Sequence, residues 1–334
     1  MREDVPSSLR PPVSLALTKG AESVPAEGAL PGGCMYEPKW DGFRLSIVAG
    51  ADGVSLWSRQ GRDLSRYFPE LLEAAAVQIP PGCVLDGEAV IWTGDRLDFD
   101  ALQRRLVTSK GALPTAAQEH PASFAAFDLL AVAGHDIRST PLMERRNLLE
   151  QLAADWEPPL NLSPVTRDRD EALKWFEELH YAGLEGLVVK GTAQPYLGSV
   201  RQWIKVKRRE VVDVVCGAVI GPIDRPQYVV AGLPVDGRLR IVGRSVPLSA
   251  KASRELALYI RPPDGDHPWP AVITETMLNR FSKDKGQVAL TLVEPMVVEI
   301  SADTAWTGNS FRHAVRYLRP RPELAVADVQ LPSR

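Results

Sequence analysis

Lys39 is the residue whose surroundings most favour covalent chemistry. Neither helix nor strand propensity accounts for its place in residues 37–44, Glu-Pro-Lys-Trp-Asp-Gly-Phe-Arg. It follows a proline, which lacks a backbone donor, and precedes Asp-Gly, which favours a tight turn between strands. The stretch therefore predicts a hairpin with Lys39 near its tip. A lysine amine becomes a nucleophile once its pKa is lowered, whereas a solvated lysine beside an ordinary turn is the alternative.

Two carboxylates interrupt an apolar run at residues 83–92, where Asp86 and Glu88 stand two positions apart. In a strand this spacing places both side chains on one face. Because burial of an unpaired charge is costly, a cation, a metal or a ligand should face them. An edge strand whose polar face meets solvent is the alternative.

Basic side chains are grouped at two places. In residues 203–207, Trp-Ile-Lys-Val-Lys, the strand period puts Lys205 and Lys207 on one face, and paired lysines favour an anion. Residues 201–209 and 312–321 each form a basic cluster without an acid. Such clusters hold phosphates, and solvated side chains are the alternative.

The elements that must position these side chains follow from periodicity and turn signals. Residues 1–33, rich in Pro, Gly and Ser, predict an extended arm that wraps the next domain or is partly disordered. Strands are predicted at 43–48, 54–58, 83–92, 124–130, 185–190 and 203–207, and helices at 67–77, 98–107, 141–153 and 170–181. Further strands are predicted at 211–219, 227–233, 239–243 and 296–300, around a helix at 249–260. This second region suits a small barrel such as an OB-fold.

Composition limits the class of protein. The 334 residues exceed what one core usually serves, so two domains are expected. A net charge of −3 argues against a uniformly basic nucleic-acid binder. The three cysteines, Cys34, Cys83 and Cys216, are far apart and indicate a reduced, cytoplasmic chain rather than a disulfide framework or a zinc site. Since no apolar run approaches the roughly 18 residues of a spanning helix, no membrane segment is expected.

Six blocks, taken in order, carry a family resemblance. They are Lys39-Trp-Asp-Gly with Arg44, Ser58-Arg59, Asp86-Gly87-Glu88, Phe127-Asp128, Glu185-Gly186 through Lys190, and Lys205-Val-Lys207. Together they resemble the motifs of covalent nucleotidyltransferases, most closely ATP-dependent DNA ligases of the minimal bacterial kind. The resemblance implies an α+β chain, in which an antiparallel-sheet nucleotidyltransferase (ATP-grasp-like ligase) domain at 34–209 follows the arm at 1–33. A small OB-fold β-barrel at 210–334 completes it.

The resemblance also implies roles for single residues. Lys39 would attack the α-phosphorus of ATP to give lysyl-AMP and pyrophosphate, and neighbouring cations with desolvation would lower its pKa. Phe127 would stack on adenine, and Glu37 would lie at the adenine edge, largely through its backbone. The catalytic set is Lys39, Arg44, Glu88, Glu185, Lys205 and Lys207. The ATP-binding set is Glu37, Lys39, Arg44, Arg59, Glu88, Phe127, Lys190, Lys205 and Lys207, with Glu88 and Glu185 as ligands of Mg²⁺, or alternatively Mn²⁺.

The end of the chain departs from the family pattern. Arg321-Pro-Glu-Leu stands where the family has Arg-x-Asp-Lys, so the roles of that terminal Asp and Lys do not transfer. The candidates for contact with DNA or pyrophosphate are Arg59, Arg62, Arg312, Arg316, Arg319 and Arg321. Basic residues of this kind hold phosphates without reading sequence.

The function that the resemblance implies is the sealing of 5′-phosphate/3′-hydroxyl nicks in duplex DNA through lysyl-AMP and adenylated DNA. A monomer in the bacterial cytoplasm is expected. Two alternatives stay open. One is a related enzyme, an RNA ligase or a GTP-dependent capping guanylyltransferase, and the other is a catalytically silent nucleic-acid-binding protein.

Overall fold

The chain divides into two compact units, Met1–Lys207 and Arg208–Arg334. The computed structural model describes residues 4–279, 285–303, 306–307 and 310–331. Strands of the first unit are β1 Leu17–Ala21, β2 Cys34–Pro38, β3 Phe43–Gly50, β4 Gly53–Ser58, β5 Cys83–Thr93, β6 Arg96–Leu97, β7 Ala122–Val132, β8 His135–Asp136, β9 Leu160–Leu162, β10 Gly186–Gly191 and β11 Arg201–Lys207. Its helices are α1 Pro69–Gln78, α2 Phe99–Val107, α3 Leu113–Glu119, α4 Leu142–Leu152 and α5 Arg169–Glu178.

Two sheets build the first unit, which makes it α+β as expected. The larger has the order β4-β3-β5-β7-β8, with β6 beside β5 and β9 beside β7. The smaller has the order β1-β11-β10-β2. Most pairs are antiparallel, whereas β1 with β11 and β7 with β9 are parallel. Phe127 of the larger sheet and Trp203 of the smaller belong to one buried cluster, so this core brings side chains of the two sheets together.

The predicted hairpin around Lys39 is wrong. Strand β2 pairs with β10, whereas β3 pairs with β4 and β5, so the Asp-Gly turn carries the chain from one sheet to the other. Gly42 explains the tight crossing, because a Cβ there would lie 2.2 Å from the carbonyl oxygen of Ala89. Lys39 therefore lies at a junction of sheets rather than at a hairpin tip.

The N-terminal arm packs into the first unit. Val5, Leu9, Val13 and Leu15 are buried in the same cluster as Phe127. Strand β1 then extends the smaller sheet beside β11. Of the two alternatives for residues 1–33, the structure shows the packed arm over the part it describes.

The second unit is built on one antiparallel sheet. Its elements are β12 Arg209–Ile220, β13 Tyr228–Val235, β14 Arg238–Arg244, α6 Ala250–Ala257, β15 Val272–Thr274, α7 Glu275–Leu278, β16 Gln287–Ala289, β17 Thr291–Asp303, β18 Trp306–Thr307, β19 Ser310–Phe311 and β20 Arg316–Pro320. The sheet has the order β14-β13-β12-β17-β20. A parallel bridge, Ser245 with Val315, links the ends of its two edge strands. The four strands predicted for this region are present, and Ser249 caps α6 by accepting from the backbone N–H of Ala252. No helix among the described residues is long and apolar enough to cross a membrane.

Candidate active site

Lys39 is held by its backbone against the start of β10. Its N–H donates to the carbonyl oxygen of Gly186 at 2.8 Å, and its carbonyl oxygen accepts from the N–H of Glu185 at 3.0 Å. The Lys39 ammonium forms an ion pair with Oε2 of Glu185, and the same oxygen lies 3.4 Å from Nζ of Lys207. The structure thus brings three of the predicted catalytic residues together, with the ammonium groups of Lys39 and Lys207 at the Glu185 carboxylate.

The pKa of Lys39 is raised in the ligand-free protein, against the expectation that neighbouring cations lower it. Burial lowers this pKa, but the negative charges of Glu185 and Glu88 outweigh burial. Arg44 is engaged elsewhere, since its guanidinium donates to both carboxylate oxygens of Asp86 at 2.9 and 2.6 Å. Among the nearby lysines, Lys205 has a lowered pKa, through burial first and then the charges of Lys207 and Lys39.

Two aromatic rings, one from each sheet, meet in the buried cluster of the first unit. Phe127 and Trp203 meet edge to face with ring centroids 6.1 Å apart. Nζ of Lys190 lies 4.5 Å from the first centroid and 4.2 Å from the second, and 2.8 Å from Oε2 of Glu37. Both charged groups are buried, and among the described residues Oε1 of Glu37 has no hydrogen-bond partner. Burial raises the pKa of Glu37. The adenine role of Phe127 and the ATP-binding role of Lys190 remain predictions.

Arg44 is oriented by residues that sequence reasoning missed. The Tyr196 hydroxyl donates to Oδ2 of Asp86 at 2.6 Å and accepts from the N–H of Ala16 at 2.9 Å. Arg44 Nη1 donates to the carbonyl oxygen of Ala16 at 2.7 Å. Asp86 therefore faces a cation, as its place in an apolar strand predicts. The arm and the turn-rich segment before β11 gave no sequence signal for Ala16 or Tyr196.

The family can now be assigned. The family described as "ATP dependent DNA ligase domain" matches residues 20–207. The chain belongs to the ATP-dependent DNA ligases. It is 35% identical over 330 residues to DNA ligase C2 of Mycolicibacterium smegmatis, covering 94% of this chain and 91% of that protein. It is 34% identical over 332 residues to DNA ligase C of Mycobacterium tuberculosis, with the same coverage of 94% and 91%.

A solved structure agrees with this assignment. The chain is 25% identical, at a TM-score of 0.50, to the structure "mycobacterial DNA ligase D complexed with ATP and MES". The match covers 95% of this chain and 97% of that one. The comparisons therefore place the chain among ATP-dependent enzymes that seal DNA nicks, rather than among RNA ligases, capping guanylyltransferases or silent nucleic-acid-binding proteins.

A metal site in this ligase would need ligands beyond the protein. No group of three or more His, Cys, Asp or Glu side chains that could hold an ion occurs in the described residues. The charges of Glu88 and Glu185 both raise the pKa of Lys39, so two carboxylates lie close to this lysine. Mg²⁺ commonly binds through one or two carboxylates together with substrate phosphates and water. The residues present therefore fit a metal that arrives with ATP.

Two arginines of the ligase's terminal cluster are paired with acids. Arg319 donates to both carboxylate oxygens of Glu299 at 2.9 Å, and Arg321 lies 2.9 Å from carboxylate oxygens of both Asp213 and Glu299. Arg312 is buried and Arg316 is exposed. Arg59 and Arg62 are exposed on the loop after β4. The DNA or pyrophosphate roles of all six arginines remain predictions.

Glu88 gives a prediction on pH dependence. Burial, the largest influence, raises its pKa from 4.5 to about 7, although Lys39 and Arg44 oppose the shift. The proton on Glu88 therefore stabilises the fold fully below 4.5, and this contribution is lost as the pH rises through about 7. Glu88→Gln stays neutral at every pH. Without divalent metal, we expect the free energy of unfolding of this variant, relative to the unchanged protein, to increase between about pH 5 and about pH 8.

Urea denaturation at the two pH values measures this difference. Glu178→Gln is the matched control, because Glu178 is exposed at the end of α5 and its replacement should leave the difference independent of pH. A difference for Glu88→Gln that stays constant between the two pH values would contradict the raised pKa.

Proposed function

We propose that this ligase carries AMP on Lys39 and passes it to DNA. The neutral amine attacks the α-phosphorus of ATP, so that an N–P bond forms, a P–O bond breaks and pyrophosphate leaves. The 5′-phosphate at a nick then attacks the AMP phosphorus and releases the lysine. Finally the 3′-hydroxyl attacks the activated 5′-phosphate, and AMP leaves as the strand is joined. The observation that carries the proposal is Lys39, fixed by its backbone between the two sheets beside Glu185 and Lys207.

The surrounding residues prepare these steps. Lys39 must lose both its proton and its ion pair with Glu185 before it can attack. Lys205 and Lys207 would bind phosphate oxygens, and the ring of Phe127 would stack on the base. Mg²⁺ or Mn²⁺, held by Glu88 and Glu185, would neutralise charge on the phosphate oxygens when bound.

We extend the proposal to the second unit as an OB-fold. Three observations support it: five antiparallel strands in the order β14-β13-β12-β17-β20, a helix between β14 and β17, and the parallel bridge between Ser245 and Val315 that joins the sheet edges. The proposed domain limits are 34–209 and 210–334, after an arm at 1–33. Contact of Arg312, Arg316, Arg319 and Arg321 with DNA or pyrophosphate, a monomeric state and a cytoplasmic location rest on sequence reasoning.

A labelled-nucleotide experiment tests the proposed chemistry. The protein is incubated with Mg²⁺ and with ATP, GTP or NAD labelled in the nucleotide that would be transferred. We expect a covalent adduct on Lys39 from ATP alone, and its loss when nicked duplex DNA is added, with formation of sealed product. An adduct from GTP but not ATP, or an adduct that RNA nicks discharge and DNA nicks do not, would contradict the proposal.

A further inference from the structure

Three exposed arginines, Arg59, Arg62 and Arg66, lie on the segment between β4 and α1. Within the described ranges, none of the three forms an ion pair with a carboxylate. Two other exposed arginines of this unit, Arg10 and Arg104, each pair with an aspartate, at 2.9 and 3.5 Å. Asp63 is the one acid of this segment, so the segment keeps a net positive charge.

Arg62 and Arg66 converge on one hydroxyl group. Nη2 of Arg62 donates to Oη of Tyr67 at 2.6 Å, and Nη2 of Arg66 donates to the same oxygen. The guanidinium carbons lie 5.1 and 4.4 Å from the centroid of the Tyr67 ring. These bonds lower the pKa of the Tyr67 hydroxyl, the Arg66 bond first. Since a guanidinium carries five N–H donors, each arginine keeps donors for a further acceptor.

Hydrogen bonds fix the backbone of the segment that carries Arg62 and Arg66. Tyr67 itself is buried in the main core. The Leu64 N–H donates to the carbonyl oxygen of Leu56 at 2.8 Å, and the Leu56 N–H donates to Oγ of Ser65 at 2.9 Å. The two arginines are thus mounted on fixed backbone, so that little conformational entropy is lost when an anion binds.

The segment also starts beside Arg44, a residue of the predicted ATP-binding set. The Arg59 N–H donates to the carbonyl oxygen of Arg44 at 3.3 Å. Arg44 lies over Phe127 and Trp203, with its guanidinium carbon 5.3 and 4.9 Å from the ring centroids. Arg44 is itself paired with Asp86, so the positive charge of this part of the unit lies on the segment that follows, on Arg59, Arg62 and Arg66. Several cations along one segment suit an anion with repeating charges rather than a single nucleotide.

We propose that Arg62 and Arg66, held together by Tyr67, form a clamp for one backbone phosphate of the nicked duplex. The inference rests on the proposed function, and it joins Arg66 and Tyr67 to Arg62, which the sequence alone left as a candidate for contact with DNA or pyrophosphate. Two guanidiniums that share one neutral oxygen keep further N–H donors, and a phosphodiester oxygen would accept charge-assisted hydrogen bonds from both. Because the contact is with the backbone, it fixes the position of the duplex without reading sequence.

The double variant Arg62→Gln/Arg66→Gln tests the clamp in the full chain. The dissociation constant for nicked duplex DNA is measured by fluorescence anisotropy at several KCl concentrations. We expect it to rise by about tenfold or more, the scale of lost charge-assisted bonds. The slope of log affinity against log salt should fall in magnitude by about one, because one phosphate contact is lost. Arg62→Lys/Arg66→Lys should keep most of the slope, since the charges remain.

The matched control is Arg10→Gln/Arg104→Gln, which removes two exposed but acid-paired charges from the same unit. We expect its affinity and salt slope to match those of the unchanged protein. Thermal melting of each variant reports on folding, and a purely structural role for the two arginines would leave the salt slope unchanged.

A second measurement distinguishes the DNA backbone from ATP as the source of the bound phosphate. The KM for ATP in adduct formation is measured for the clamp variant, and a rise of less than about twofold is expected, against about tenfold for DNA binding. A rise in the KM for ATP with unchanged DNA affinity would overturn the inference, as would an unchanged salt slope. Either result leaves the ligase proposal standing if the variant still seals nicks. Failure of the unchanged protein to form an adduct would instead contradict the proposed function.

Discussion

Lys39→Ala is expected to abolish the covalent AMP adduct, by more than about a thousandfold in rate, the scale on which loss of a nucleophile acts. The fold should survive, because the bonds that fix this position to Glu185 and Gly186 come from the backbone. The Lys39 side chain retains 22% of its exposure, so its removal leaves no closed cavity in the core. Labelled ATP with Mg²⁺, followed by denaturing electrophoresis, measures the adduct, and far-ultraviolet circular dichroism checks the fold.

Two comparisons sharpen this result. Lys174→Ala, at an exposed position of α5, should form the adduct at the unchanged rate. The Lys39→Ala protein should still seal a nick supplied already adenylated, since that step uses the 3′-hydroxyl as nucleophile. Persistence of the adduct in Lys39→Ala would identify another lysine as the carrier. Lys207 would be the first to examine, because it shares the Glu185 oxygen with Lys39.

Local sequence rules predicted most elements and the faces of their side chains. The run at residues 83–92 is β5, with Asp86 paired with a cation, and the helix predicted at 98–107 is α2. Period-two alternation placed Lys205 and Lys207 on one face, and the charge of Lys207 acts on Lys205. These predictions succeeded because each depends on contacts within one element or on burial of one face.

The same local rules do not predict which strands pair when the partners lie far apart in the chain. The Asp-Gly turn after Lys39 satisfies hairpin chemistry, yet the partners of β2 and β3 lie far along the chain, in β10 and β5. The Tyr196 hydroxyl and the Ala16 backbone meet Asp86 and Arg44 only after both sheets have formed. No local pattern carries such contacts.

The protonation state of Lys39 was also missed for this reason. The family resemblance groups Lys39 with Arg44, Lys205 and Lys207, and the sum of those charges favours the neutral amine. In the folded chain, Arg44 instead forms an ion pair with Asp86, and Lys39 forms one with Glu185. In the ligand-free protein Lys39 is therefore protonated. For the proposed attack on ATP, substrate binding must lower the pKa of Lys39.

Glu185 is consequently the residue whose removal has opposing effects. Its carboxylate is the largest electrostatic influence raising the pKa of Lys39. Removal of the charge therefore lowers that pKa and increases the fraction of neutral amine at neutral pH. The same carboxylate touches both Lys39 and Lys207 and is a proposed metal ligand, so its removal also disturbs the orientation and the charge balance of the site.

The damage to the site is expected to outweigh the larger fraction of neutral Lys39. Glu185→Gln should lower the maximal rate of adduct formation by about a hundredfold or more, the scale of a lost electrostatic contact in an active site. At the same time the alkaline rise of the rate should shift to lower pH, because the ammonium loses its carboxylate partner. Single-turnover adduct formation with saturating ATP and Mg²⁺, measured between about pH 6 and about pH 10, reports both effects.

Glu178→Gln, which replaces an exposed glutamate of α5, should change neither the maximal rate nor its pH dependence. A rate reduced by less than about threefold would assign Glu185 a structural role. A lower rate with an unshifted profile would mean that the ion pair with Lys39 is already broken when ATP is bound.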